Sequence, residues 1–394
     1  MRNYVILRTF YEKIFLFGSG NFWYEENEIG DDSTRYYKAY KATLFTLYGL
    51  MTALEVMGAI FGDFPEDEKQ DCIALAVAHT IVMLKIFSID ANTKLIRTMN
   101  RNMVEICEPY EQQKLMEEKF RMVKVNLAAY FTTVWGSTFC FVLEGFRKLY
   151  QDSHFVTAVT YYPSYNDNTI GATMFRLFIT VVLLAMMVTM TVCVDCIIVV
   201  YLILLKYKFI ALRHYFENLA EEFSKMNQAN PRLAAERLTD GFVEGVKMHI
   251  DLLRMAEDID QAFGTVMALQ LCLSSGSAVS LLLQFAVNDN LTFVAGMKIL
   301  LFILAIFILL GLFLCNAGEI TYQASLLTDA IFYCGWHACA PQTPPQRDIR
   351  RLVVLPCAQS QRPLIMKAFN MFELSYGTFL QVCYLMKSYI INNK

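Results

Sequence analysis

Apolar residues gather into seven long runs along this chain, each bounded by charged or turn-forming segments. A membrane-spanning helix needs about 20 mostly apolar residues. The runs at 39–61, 72–90, 125–146, 173–205, 262–287, 293–315 and 368–391 meet that length or come close to it. The fourth, "TMFRLFITVVLLAMMVTMTVCVDCIIVVYLILL", is longer than a bilayer is thick. Its last turns therefore project into water or tilt strongly. The second and third are interrupted by Lys85 and other polar positions, and their spacing supports them more than their hydropathy does.

After the fourth run the pattern turns amphipathic. Phe209, Leu212 and Phe216 recur at helical spacing, as do Val246, Ile250 and Leu253. "NQANPRL" separates the two stripes, because Asn and Pro favour a turn. The fourth and fifth spans are thus predicted to continue beyond the membrane as two helices packed together. Residues 319–340 extend the sixth in the same way, until the prolines of "PQTPPQRDIRR" end that helix.

Composition agrees with a membrane protein. The chain is 56% hydrophobic and 18% charged, against roughly 45–50% and 25% in soluble domains. A net charge of −3 argues against nucleic acid as a partner. The 11 cysteines show no framework spacing. "MRNYVILRTFYEKIFLFGSG" lacks the clean apolar core of a signal peptide. Lys and Arg in the loops set the orientation. With the N-terminus inside, the inner segments 1–37, 91–124, 206–258 and 341–363 hold 23 of the 34, and the outer segments hold 4. The remaining 7 fall in the spans or at their edges.

The sequence therefore predicts an all-α membrane protein with a cytoplasmic N-terminus and an extracellular C-terminus. Residues 1–38 form the N-terminal segment, 39–205 spans one to four, and 206–261 a cytoplasmic helical anchor. Spans five and six occupy 262–315, an anchor helix and loop 316–367, and a terminal span 368–394. G-protein-coupled receptors place their N-terminus outside, so the charge count opposes that class.

Enzyme chemistry is absent from the pattern. There is no GxSxG, no Gly-rich phosphate loop, and nothing that implies a cofactor. Cys193 and Cys196 in "CVDC" have a redox spacing, but they sit inside a span where small residues serve packing. Cys334, His337 and Cys339 lack the second ligand pair of a zinc site. His79 and Asp195 are ionisable groups at membrane depth, either functional or paired for packing. The outer loop "TAVTYYPSYNDNT" is suited to capping a cavity, and "NLT" at Asn290 is a glycosylation sequon.

On a helical wheel Glu373, Gly377, Gln381, Tyr384, Ser388 and Asn392 share an arc of about 100°. Ile391 lies in that arc, with Lys387 at its edge. Phe372, Phe379, Val382, Cys383, Met386 and Ile390 lie opposite. A polar stripe on a spanning helix cannot face lipid. It faces either water shared between several copies, which would make it a pore lining, or the protein's own helices.

Three blocks make the chain resemble the insect odorant receptors. They are "MHIDLLRMAEDID", "CNAGEITYQASLLTDAIFYCGWH" and "RPLIMKAFNMFELSYGTFLQVCYLMKSY", in that order and near the C-terminal end. The resemblance implies a subunit of a tetrameric, ligand-gated, non-selective cation channel in the plasma membrane of olfactory dendrites. It implies a tuned subunit that pairs with the coreceptor Orco and binds a small volatile in the outer half of spans two, three, four and six. On depth, the candidate ligand residues are His79, Met83, Trp135, Phe139, Phe178, Val182, Met297 and Leu301. The pore-lining candidates are Gln381, Tyr384, Ser388, Ile391 and Asn392. Asn392 stands where the coreceptor has a valine gate, a departure that favours a heteromer. Gustatory receptors share the layout and the Thr378-Phe379 step, and a transporter is the remaining alternative, although no internal repeats support it.

The orientation is checked by epitope tags in intact cells. A tag before Met1 stays hidden and one after Lys394 stains. Surface staining of the N-terminal tag would reverse the assignment.

Overall fold

The computed structural model describes residues 3–150, 158–287, 293–339, 349–369 and 371–392. Among them helices dominate: α1 (Asn3–Leu16), α2 (Glu26–Ile29), α3 (Arg35–Phe61), α4 (Glu66–Ala91), α5 (Thr93–Glu105) and α6 (Gln113–Tyr150). They continue with α7 (Ile170–Met190), α8 (Cys196–Asn227), α9 (Pro231–Val287), α10 (Phe293–Phe332), α11 (Ile349–Ser360) and α12 (Tyr376–Asn392). A π-helical turn, Thr191–Asp195, joins α7 to α8 without a break. One small antiparallel hairpin, β1 (Lys367–Ala368) with β2 (Phe372–Glu373), precedes α12.

Among the described residues six helical stretches are long and apolar enough to cross a membrane: Arg35–Phe61, Glu68–Ala91, Gln113–Arg147, Ile170–Asn227, Pro231–Val279 and Leu300–Ala338. They coincide with the first six predicted runs, and most outrun them. α12 has 17 residues, about 25 Å at 1.5 Å per residue, near the lower limit for a span.

The middle of the bundle is α8. Every residue from Thr191 to Leu205 is buried, which a helix apolar on all sides requires. It packs against α6, α9 and α10. Below the spans α8 and α9 run on together, as the amphipathic stripes predicted, and the chain turns between Asn227 and Pro231. Asn230 Oδ1 caps the new helix by accepting the Leu233 N–H at 3.2 Å, and Pro231 fills its first position.

The predicted contact face on α8 is correct: Phe209, Leu212 and Phe216 are fully buried. On α9 the helix is rotated. Val246, Ile250 and Leu253 are only half-buried, and Phe242, Leu252 and Ile259 carry the core. Gly241 and Gly245 explain the rotation. A Cβ on Gly245 would stand 2.5 Å from the Phe216 ring, and one on Gly241 2.7 Å from Leu219. The two glycines form the notch that the aromatic enters, so small residues rather than large ones set the register.

The N-terminal segment is ordered helix, which its charged pattern had not suggested. Leu7 and Ile14 of α1 are fully buried, as is Trp23 beyond it. Tyr11 and Tyr201 hydroxyls meet at 3.0 Å, and Tyr201 donates to Asn100 Oδ1 at 2.6 Å. Nearby, Glu111 is buried between Lys119 and Lys208, the latter at 2.8 Å, and accepts from Asn3 Nδ2 at 2.9 Å. Burial pushes this carboxyl up, but Lys208 and Lys119 outweigh burial and hold it below the usual glutamate value. Residues far apart in sequence are thereby stitched together at this end of the bundle.

A second buried network lies within the spans. Lys85 on α4 meets Asp195 Oδ1 at 3.2 Å and donates to Gln270 on α9. Tyr130 on α6 donates to the other Asp195 oxygen, and Gln270 Nε2 donates to Ser274 Oγ at 3.1 Å. Asp195 is thus a structural partner, and Lys85, which weakened the second run by hydropathy, belongs with it.

The last predicted run needs correction at its start. Lys367–Ala368 and Phe372–Glu373 form the hairpin, and Leu374 N–H donates to the Met366 carbonyl at 2.9 Å, so the backbone pairs across strands. Phe369 adopts a left-handed φ of 58° there. Phe372 and Glu373 are therefore off the wheel, and the helical stripe begins at Gly377.

Removing one member of a buried ion pair costs about 3–5 kcal/mol, and replacing both by apolar groups costs far less. Lys85→Met should lower the thermal midpoint of the detergent-solubilised chain sharply. Lys85→Met with Asp195→Leu should recover most of that loss. Equal destabilisation by the single and double variants would show that the pair itself does not hold the helices.

Candidate functional site

At the end of the bundle where α3 finishes and α4 begins, a polar pair is buried among apolar side chains. His79 Nδ1 lies 2.5 Å from Glu55 Oε2, and both residues are almost inaccessible. The second Glu55 oxygen has no hydrogen-bond partner. Beside them the loop that precedes α7 folds onto α3. Tyr161 N–H donates to the Leu54 carbonyl at 2.9 Å, and Cys72 Sγ donates to Val159 O at 3.4 Å. Gly58 permits this approach, since a Cβ would meet Tyr161 N at 3.1 Å. Ala158, Val159 and Thr160 are buried beneath the loop's surface. Glu55 escaped the sequence reading. Its signal was present all the same, as the one acidic residue inside the first apolar run.

The candidate ligand residues divide by location. His79 and Met83 on α4 and Val182 on α7 are buried. Trp135 on α6 is half-buried. Phe139, Phe178 and Leu301 are 61%, 46% and 39% exposed, so in the single chain they face outward. Met297 belongs to α10, but its side chain lies outside the described residues. So does the Asn290 sequon. α3 packs on both α4 and α7, and α6 packs on α10, which draws the candidates into two groups.

α12 has two unlike sides. Its start is capped by Ser375, whose Oγ accepts the Thr378 N–H at 3.2 Å. Tyr376 and Phe379 rest on α10 at two glycines seven residues apart. A Cβ on Gly318 would meet the Tyr376 ring at 2.9 Å, and one on Gly311 would meet Phe379 at 3.5 Å. Val382 packs into the bundle as well. On the other side Gly377, Gln381, Tyr384, Lys387 and Ser388 are exposed, Tyr384 by 68%. Leu380 and Leu385 are exposed with them. Ile391 and Asn392 complete the helix, and their side chains lie outside the described residues. Beside the foot of α12 is a cleft of about 510 Å³, lined by α6, α8, α10 and α12. Lys206 and Glu319 pair across it at 3.3 Å, and Asn316 donates to Asn126 Oδ1 at 3.0 Å.

Among the described residues no group of three His, Cys, Asp or Glu side chains is placed to hold a metal ion. Cys334 and Cys339 are buried free thiols, and burial pushes the Cys334 thiol up to about 12.

The long apolar helices among the described residues mark a multi-pass helical membrane protein. A family model described as "7tm Odorant receptor" matches residues 71–386. The chain belongs to this odorant receptor family. The search of curated proteins gave no match. The insect olfactory receptor OR5 from Machilis hrabei has the same fold, with a TM-score of 0.78 at 14% identity over 99% of this chain and 98% of that one. The same receptor in complex with eugenol matches with a TM-score of 0.76 at 13% identity, over 99% of both chains. At these identities the structural likeness establishes the fold, and the family model places the chain among odorant receptors rather than transporters.

Proposed function

We propose that this chain is the odorant-binding subunit of a ligand-gated cation channel, with the last helix of each subunit lining a shared pore. The observation that carries this reading is the exposure of Gln381, Tyr384 and Ser388 while Phe379 and Val382 pack inward. The exposure of Gln381 and Tyr384 in the single chain supports water shared between copies as the setting of the stripe. Several copies around an axis would enclose water between such stripes. The family and the fold shared with a receptor that binds eugenol support a small volatile as the ligand. The 23-to-4 loop charge count supports a cytoplasmic N-terminus in the plasma membrane. The coreceptor Orco is the proposed partner in a heterotetramer, since Asn392 supplies no hydrophobic gate of its own.

Within the ligand region, His79 is held by Glu55 and acts as a fixed wall. Met83, Val182 and Trp135 add apolar surface, which suits a volatile. Phe139, Phe178, Met297 and Leu301 remain candidates at the margin.

The channel reading is tested by odour-evoked current in cells expressing this chain with and without the coreceptor. Cysteines at Gln381, Ser388 and Asn392 should react with small charged thiol reagents and change that current, in a background where Cys383 is Ser. Cysteines at Phe379, Val382 and Met386 should not. Equal reactivity of both sides would place the pore elsewhere.

Trp135→Ala should shift sensitivity to an activating odorant about tenfold, because removing a large ring from an apolar wall costs of the order of 1–3 kcal/mol. Surface expression should hold. Unchanged responses across a panel of volatiles would remove Trp135 from the pocket.

A further inference from the structure

The foot of α12 is not free. It continues from the β1–β2 hairpin, and the hairpin rests on α9. Asp260 makes the polar contact: its Oδ2 accepts the Lys367 N–H at 3.1 Å. One turn further along α9, a Cβ on Gly264 would meet Phe369 N at 3.4 Å and Lys367 O at 3.5 Å, so the strand lies directly on the helix. Met366, Ala368 and Leu374 are buried at this junction. Thr378 Oγ1 donates to the Glu373 carbonyl at 2.6 Å, which fastens the hairpin to the first turn of α12. The same helix α9 carries Gln270 of the buried network among the spans. A displacement of α9 therefore reaches α12 through this contact.

Asp260 is an odd choice for a purely structural acceptor. Its Oδ1 is buried without a partner, a cost that an apolar side chain would avoid. It lies two residues before the span predicted to start at 262. Burial pushes its carboxyl up to about 7, against the Lys367 amide and charge, which pull it down. Glu257, one turn earlier on α9, adds to the upward push. Glu373 pairs with Lys367 across the hairpin. Two and three residues further along α9, the neutral Asn92 of the α4–α5 junction bonds the Ala262 carbonyl at 3.2 Å and Tyr201 of α8 lies against Phe263. A half-buried carboxylate with one oxygen in use and the other buried and idle is the kind of group found at working sites.

We propose that Asp260 is a positioning residue of the gate: its carboxylate grips the hairpin on α9, and loss of that grip frees the foot of α12. The proposal rests on the pore reading of α12 above. A charged acceptor binds an N–H more strongly than a neutral one. Protonation at the face predicted to be cytoplasmic therefore loosens the grip, and the closed position of α12 is held less firmly.

The test uses the full chain co-expressed with the coreceptor in inside-out patches, with pH at the inner face stepped from about 8 to about 6, across the raised carboxyl value. In the parent the odour-independent current should rise roughly threefold or more over that range. Asp260→Asn keeps an acceptor oxygen but no charge, and its current should be flat with pH. Asp260→Leu should be flat as well and high throughout, with surface expression checked for each. Should the leucine variant fail to reach the surface, the asparagine variant decides alone. A parent that responds to odour while both variants keep its pH profile would overturn the role of Asp260 and leave the channel reading standing. A parent with no odour-evoked current would bring down the channel reading and this proposal with it.

Discussion

A polar group inside an apolar bundle must find its partner within the protein, because neither lipid nor packed side chains will solvate it. The structure is organised around that constraint. Lys85, Tyr130, Asp195 and Gln270 come from four separate stretches of chain and satisfy one another at the π-helical turn. Neither charged member is tolerable without the other. The network therefore specifies which helices are neighbours and at what height they meet, which uniform apolar surfaces cannot do.

From that point the rest of the bundle follows outward. α8, apolar on every side beyond Asp195, becomes the central helix. Its continuation past the spans keeps one buried face, and Gly241 and Gly245 of α9 receive Leu219 and Phe216. A second polar cluster around Glu111 draws in Asn3, Lys119 and Lys208 and so fixes the N-terminal helix to the same end. Tight packing and paired charges thus make the helical base the rigid part of the molecule. α12 is attached differently. Two glycines of α10 and one hairpin hold its foot, while Gln381, Tyr384 and Lys387 on its polar side are exposed. A helix anchored at its foot with exposed polar side chains fits the proposed role of an element that moves and meets copies of itself.

The sequence alone determined the order of the apolar helices, the turn at Asn230–Pro231, and the two-sided character of the last helix. These are legible because each depends on local periodicity or on turn chemistry. It also marked Lys85, His79 and Asp195 as misplaced by hydropathy. It could not say who partners them, and it passed over Glu55 entirely. Partner choice depends on which helices lie side by side, and that is a property of the whole bundle. The rotation of α9 came from the same source, since a notch made by absent side chains leaves no apolar signal. Only the tertiary structure showed that residues 367–373 leave the helix for a hairpin, because Asp260 and Gly264, about a hundred residues earlier, offer that strand a surface and an acceptor. The ligand candidates divided for the same reason. Depth in the membrane can be counted along the chain, but whether a side chain faces a pocket, a neighbouring helix or the outside is decided by packing.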